Sequence, residues 1–163
     1  MTEIAPTVIK KYSSKLIQDA VHGFIRLTPM AIKIIDTPEF QRLRDIKQLG
    51  MCHYVFPTAI HSRFEHSIGV YHLAGALLNN LKQRYSSLEF DVPGLGKQRL
   101  SNLLIELIKV AGLCHDIGHG PGSHVFDDLI MKESTHPNKT HEVRSGLIIE
   151  KILTVVVQRF TQL

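Results

Sequence analysis

The 163-residue chain has no tryptophan, two cysteines and an aromatic content of only 7%. Cys52 and Cys114 cannot supply a disulfide framework, so a stapled extracellular scaffold is excluded and a reducing, intracellular setting (nucleus or cytoplasm) is expected. No stretch approaches the ~18 apolar residues of a membrane span. The opening Met1-Thr2-Glu3-Ile4-Ala5-Pro6 also lacks the charged start and apolar run of a signal peptide, so no membrane partner is expected. Repeats and low-complexity tracts are missing. Basic residues are not interleaved with aromatics, which argues against a dedicated single-strand nucleic-acid stacking surface. Strands alternating with helices are lacking too, and the fold class expected is all-α.

Apolar residues make up 44% and charged residues 21%, an ordinary globular balance for one domain with a genuine core. A net charge of +4 is mild and suits anionic small molecules such as nucleotides. Residues 1–15 read as a loosely ordered polar arm, and 16–163 as one domain. Thr28-Pro29 and Thr37-Pro38 both read as an N-cap followed by proline at the first helical position. The first opens a helix from Met30 to Asp36. The second opens a helix with Phe40, Leu43, Ile46 and Leu49 on one stripe.

A long helix is expected from Ser62 to Tyr85, with Phe64, Ile68, Tyr71, Ala74, Leu78 and Leu81 facing inward. Ser86 to Gln98, with Pro93, Gly94 and Gly96, reads as a surface loop. Ser101 caps a helix through Cys114 that is apolar nearly all round and should be central. Gly118, Gly120, Pro121 and Gly122 break it. A short helix over Ser123 to Met131 follows, then a polar loop, and a last helix from about Thr140 to Phe160.

Chemistry gathers where that central helix ends. His115-Asp116 offers an imidazole and a carboxylate side by side, and His66 lies upstream within Arg63-Phe64-Glu65-His66-Ser67. Such an N,O set suits a divalent metal of the zinc, iron or manganese kind. Adjacent helical residues point about 100° apart, so His115 and Asp116 share an ion only if it sits on the flank between them.

Six strings fall in order: Asp19-Ala20-Val21-His22-Gly23, the run from Ile35 to Arg44, Ile46-Lys47-Gln48-Leu49-Gly50, Tyr54-Val55-Phe56-Pro57, the run from His61 to Val70, and the run from Ala111 to Pro121. Together they resemble the HD-domain phosphohydrolases, and within them the deoxynucleoside triphosphate triphosphohydrolases that join a SAM and an HD domain. The resemblance covers roughly residues 15–150 and implies an HD-domain helical bundle. It implies cleavage of a dNTP, in dGTPase-like fashion, to deoxynucleoside and inorganic triphosphate, with iron, zinc, manganese or magnesium as the divalent cofactor.

By that resemblance His66, His115 and Asp116 are metal ligands, while His119, His124, Asp127 and His141 surround the scissile phosphate. Arg63 meets the phosphates, and Gln48 and Leu49 touch the sugar. Asp36, Gln41 and Arg44, with Leu16 and Asp19 nearby, match an effector site for GTP or dGTP. Gln18 stands where the family has asparagine. A homo-oligomer is implied, and single-stranded nucleic acid is a further partner class.

The family's fourth metal ligand is an aspartate on a later helix, and after Asp128 this sequence has none. Glu142, beside His141, is the nearest replacement by position. The domain is therefore expected to be truncated relative to the family, without the SAM domain and the C-terminal lobe. The competing reading is a catalytically silent module that binds nucleotide or a partner subunit.

Overall fold

The computed structural model describes residues 13–161, with side chains as far as Val155. Most of the expected 1–15 arm lies outside the described residues. Lys15 already belongs to a strand, and the all-α expectation is corrected by two small antiparallel hairpins.

The first joins β1 (Lys15–Asp19) to β2 (Gly23–Leu27), in register from Lys15↔Leu27 to Asp19↔Gly23. Its turn closes because Asp19 Oδ1 accepts the N–H groups of Val21 and His22 at 2.9 and 2.8 Å, while Gly23 takes a φ of 71°. Strand alternation buries Ile25 and Leu27 and leaves Phe24 and Arg26 exposed.

Helix α1 (Pro29–Ile35) begins as expected, with Thr28 Oγ1 accepting from Ala31 N. Helix α2 (Pro38–Gln41) is capped by Thr37 but ends after one turn. The chain then tightens into 3₁₀ turns at Arg42–Asp45 and Gly50–Tyr54. The expectation of one helix through Leu49 is thereby corrected. Apolar residues at strict three-residue steps fit the 3.0-residue 3₁₀ repeat better than the 3.6-residue α repeat.

Helix α3 (Arg63–Arg84) starts on a capping box in which Ser62 N–H and Oγ–H each donate to the Glu65 carboxylate at 2.8 Å. Helix α4 (Asn102–Cys114) starts on Ser101 Oγ, which accepts Leu104 N–H at 3.1 Å. The two helices pack closely, since a Cβ at Gly112 would meet Val70 Cγ1 at 3.2 Å. Their junction joins Ile25, Leu27, Phe40, Leu43, Ile68, Tyr71, Leu113 and Ile117 in the main core.

The Ser86 to Gln98 loop is corrected to a second hairpin, β3 (Glu89–Val92) with β4 (Gly96–Arg99), whose Phe90 covers Leu78, Leu100 and Ile105. Helix α4 is also less enclosed than its composition suggests, because Leu103 and Leu107 stay exposed at 70% and 54%.

Phe126–Met131 forms a π-helical segment. Helix α5 (His141–Thr161) returns to the core through Ile152, leaving Val143, Leu147 and Val155 exposed. The side chains of Val156 and Phe160, near the end of this helix, lie outside the described residues. Among the described residues, no helix is long and apolar enough to cross a membrane.

Candidate functional site

The first turn of α3 and the last residues of α4 meet at the core edge, which brings His66 opposite His115 and Asp116. Asp116 is buried, and its carboxylate oxygens lie 3.3 Å from His66 Nε2 and 3.3 Å from His115 Nε2. Single ligand atoms from the three residues fall within 4.8 Å of one another. His115 Nδ1 lies 2.7 Å from Gly112 O, one turn earlier. With its proton donated there, Nε2 turns a lone pair toward the site. The His115–Asp116 flank is therefore usable, as the helical geometry requires.

Arg63 is buried on the same side. Its Nη1 donates to Asp116 Oδ2 at 2.5 Å and its Nε to Ser123 Oγ at 2.9 Å. Ser123 in turn donates to Lys47 O at 2.7 Å and holds a left-handed backbone, φ 60°, at the tip of the glycine-rich turn. Nothing in the local sequence marked Ser123 as the link between α3, the 47–50 segment and this turn.

Burial works to raise the Asp116 carboxyl, but His115, His119 and His66 outweigh it and hold the group well below the usual carboxylate range. The hydrogen bond to Asp116 correspondingly raises His115, against burial. Cys114, next in the chain, is buried in the core and its thiol is pushed up to about 12, as expected for a small hydrophobe.

Beyond the turn, His119, His124 and His141 form a second cluster whose ligand-type atoms also lie within 4.8 Å. His119 and His141 stack at 3.8 Å, and His124 meets His119 edge-on at 4.8 Å. His119 is fully enclosed, and neither ring nitrogen has a hydrogen-bond partner, although Nε2 lies 3.4 Å from Asp116 Oδ1. Burial therefore lowers its pKa despite Asp116, with Arg63 reinforcing the effect. His141 is held by Asp127, whose Oδ2 accepts from its backbone N–H at 2.9 Å and faces its Nδ1 at 2.8 Å. Burial would raise the Asp127 carboxyl, yet Arg144 and His141 hold it down. Glu142 is 68% exposed, meets His141 Nε2 at 3.3 Å and is not among the residues that converge at the His66–His115–Asp116 centre. His136 lies in the exposed loop.

The turn itself is fastened from outside. Arg42 donates to Ile117 O and, at 2.7 Å, to His119 O, while Arg144 Nε donates to Gly118 O at 2.9 Å. Ser145 Oγ accepts Gly118 N–H at 2.9 Å and donates to His115 O at 2.7 Å. Sequence reasoning missed Arg42, Arg144 and Ser145. Their partners are main-chain atoms remote in sequence, which no motif records.

Gln48 lines an open groove of about 270 Å³ together with His66, His61, His22 and Asp19. Leu49, next in the chain, is half-exposed and is not among the residues lining that groove. The five effector candidates divide. Asp36, Gln41 and Arg44 share a cavity of about 340 Å³ with Lys15 and Gln18, whereas Leu16 points outward and Asp19 belongs to the Gln48 groove. Strand alternation separates Leu16 from its neighbours Lys15 and Ile17.

The HD domain profile matches residues 63–156. The chain is 55% identical over 141 residues to an HD domain-containing protein of Acanthamoeba polyphaga mimivirus, an overlap of 85% of this chain and 31% of that protein. It is 46% identical over 140 residues to the deoxynucleoside triphosphate triphosphohydrolase SAMHD1 of Xenopus laevis, and 45% identical over 140 residues to that of Homo sapiens. Each overlap covers 85% of this chain and 21% of the relative, so the chain spans between a fifth and a third of these relatives' length.

Proposed function

This chain belongs to the HD-domain family, and we propose that it carries the core of a metal-dependent dNTP triphosphohydrolase with a dGTPase-like reaction. The observation that carries this reading is the convergence of His66, His115 and Asp116 within 4.8 Å, beside the His119–His124–His141 cluster.

The donor set fits a divalent metal. Two imidazoles and one buried carboxylate converge, and the His115 ring is oriented from behind by Gly112 O. His66, His115 and Asp116 would hold iron, zinc, manganese or magnesium. When bound, such an ion polarises a phosphoryl oxygen and lowers the pKa of a water.

The chain's own residues do the rest. Arg63 pairs with Asp116 at the centre and carries the positive charge that a phosphate entering there would meet. His124, the open member of the cluster, hands a proton to the departing 5′ oxygen. Asp127 orients His141, which with His119 walls off the scissile phosphate. Gln48 and Leu49 border the sugar and discriminate against a ribose. The cavity with Asp36, Gln41 and Arg44 takes a guanine nucleotide effector, its phosphates met by Lys15 and Arg44. The exposed Val143 and Leu147 of α5 favour a homo-oligomer. Single-stranded nucleic acid is the secondary anionic partner, and a nuclear or cytoplasmic setting matches the nucleotide substrate.

One observation favours a second reading, a silent module that binds nucleotide or a partner. Among the described residues, no fourth protein ligand joins the three at the centre. Incubation with Mn²⁺ and dGTP, followed by ³¹P NMR, separates the two. Inorganic triphosphate with deoxyguanosine supports the hydrolase. Release of γ-phosphate alone refutes it, and saturable dGTP binding without turnover supports the silent module.

A further inference from the structure

We propose that Arg144 is a positioning residue for the histidine cluster. Through Asp127 it fixes which ring nitrogen of His141 carries the proton, and through Gly118 O it fixes the backbone beneath His119. The inference rests on the reading of this cluster as the proton-handling side of the phosphohydrolase site.

Arg144 stands in the first turn of α5 and reaches three separate segments. Its Nε donates to Gly118 O at 2.9 Å, and its Nη1 to Lys139 O at 2.7 Å and Asn138 O at 3.2 Å. Its Nη2 donates to Asp127 Oδ1. The guanidinium plane also lies 5.4 Å from the Phe126 ring. A lysine ammonium cannot span these acceptors, because they require a planar fork with donors in several directions.

The Asp127 oxygens are divided between two tasks. Oδ1 is held by Arg144, which leaves Oδ2 to take both the backbone N–H and Nδ1 of His141. With Oδ1 released, only the His141 backbone N–H still anchors the carboxylate, and Nδ1 loses the fixed orientation of its acceptor. The His141 ring would then lose its fixed orientation, and the 3.8 Å stack on His119 would loosen. Glu142 is the other acid facing His141, 3.3 Å from Nε2, but its 68% exposure leaves it hydrated and a poor substitute. The Gly118 contact acts on the same stack from the other side, since residue 118 immediately precedes His119. One side chain thus registers both rings of the stacked pair.

The test reads the tautomer directly. Long-range ¹H–¹⁵N NMR of the histidine-labelled full chain, at a pH above the imidazole range, should show His141 with its proton on Nδ1. In Arg144→Gln and Arg144→Lys that preference should be lost, with Nδ1 and Nε2 moving to the averaged shifts of a free ring. Asp127→Asn should produce the same change. With dGTP and Mn²⁺, kcat should fall about tenfold or more while KM stays within roughly twofold, the pattern of a lost proton-handling geometry.

An unchanged His141 tautomer in folded Arg144→Gln overturns the proposal. So does a wild-type His141 that carries its proton on Nε2. Should Arg144→Gln fail to fold, Arg144→Lys, which keeps the charge and the stem, decides the matter on the same spectrum. Failure of the hydrolase reading is distinguishable, because it removes turnover and leaves the tautomer result intact.

Discussion

Arg63 and Asp116 form a buried ion pair with unequal alternatives, so their two single substitutions should differ sharply. The side chains are 3% and 5% exposed and the charged atoms are 2.5 Å apart. Asp116→Leu leaves the guanidinium buried with only neutral acceptors, Ser123 Oγ and Gln48 O. An uncompensated buried charge of this kind costs about 3–5 kcal/mol. At ~2–4 °C per kcal/mol for a chain of this size, the melting temperature should drop by roughly 6–20 °C.

Arg63→Met leaves Asp116 better provided, because three imidazoles lie 3.3–3.4 Å from its oxygens. The loss is then nearer that of one charged hydrogen bond, about 1.5–3 kcal/mol. The double variant has no orphaned charge and should be no less stable than Asp116→Leu, a coupling of at least ~1.5 kcal/mol, the Arg63→Met loss itself. The assay is denaturant and thermal unfolding of metal-free protein in excess chelator. The reasoning fails if Arg63→Met is as destabilising as Asp116→Leu, or if the two losses simply add. Because the folded Asp116 carboxyl is depressed from its usual 3.8, its contribution is complete above that value and is lost only as pH falls below it. The Asp116 carboxyl itself should therefore stay ionised in a cycle measured at pH 7 and repeated at pH 5.5, and any change between the two reports its histidine partners.

Two further outcomes follow from the turn. A Cβ at Gly118 would sit 2.2 Å from His141 O and 2.4 Å from Ser145 N, both main-chain atoms of α5. Gly118→Ala should therefore displace that helix and cost about 3 kcal/mol or more in a urea unfolding curve, whereas a neutral substitution would mean that α5 does not dock here. His119 titrates below the usual 6.5 when folded, so its stabilising contribution is complete above pH 6.5 and is lost as pH falls beneath it. Chelator-treated wild type should lose stability between pH 6.5 and 5 more steeply than His119→Gln, and equal slopes would refute a buried neutral imidazole.

The helix starts were legible because their signals are local. Thr28, Thr37 and Ser101 each cap a helix as expected, and Ser62, expected as the first residue of the long helix, is its cap. Convergence of His66 with His115 and Asp116 was legible only through the resemblance, since 48 intervening residues carry no spacing rule that joins them. The hairpins were not read. β1 and β2 are five residues each, too short for alternation to stand out against helical expectations, and Phe24 faces outward where an apolar ring suggests a core. The 3₁₀ turns after Gln41 were hidden for a related reason, because a three-residue apolar step is a valid subset of both helical periods. The effector candidates divided at Leu16 because a strand, unlike a loop, points neighbouring side chains to opposite faces.

A motif specifies residue types and leaves their placement to the rest of the chain. His115-Asp116 followed by four residues with two glycines is, by itself, a flexible peptide whose ligand atoms point about 100° apart. In the folded chain, main-chain groups at 115, 117, 118 and 119 are taken by Ser145, Arg42 and Arg144, and the tip of the turn at Ser123 is tied to Arg63. Arg42 and Arg144 reach the turn across 77 and 26 residues of sequence respectively, from different elements. Each contact removes freedom from the one segment whose glycines have the most to lose. Preorganisation of the histidines and the aspartate is therefore a tertiary property. A chain could keep every letter of the motif and lose the geometry by changing a single arginine far outside it.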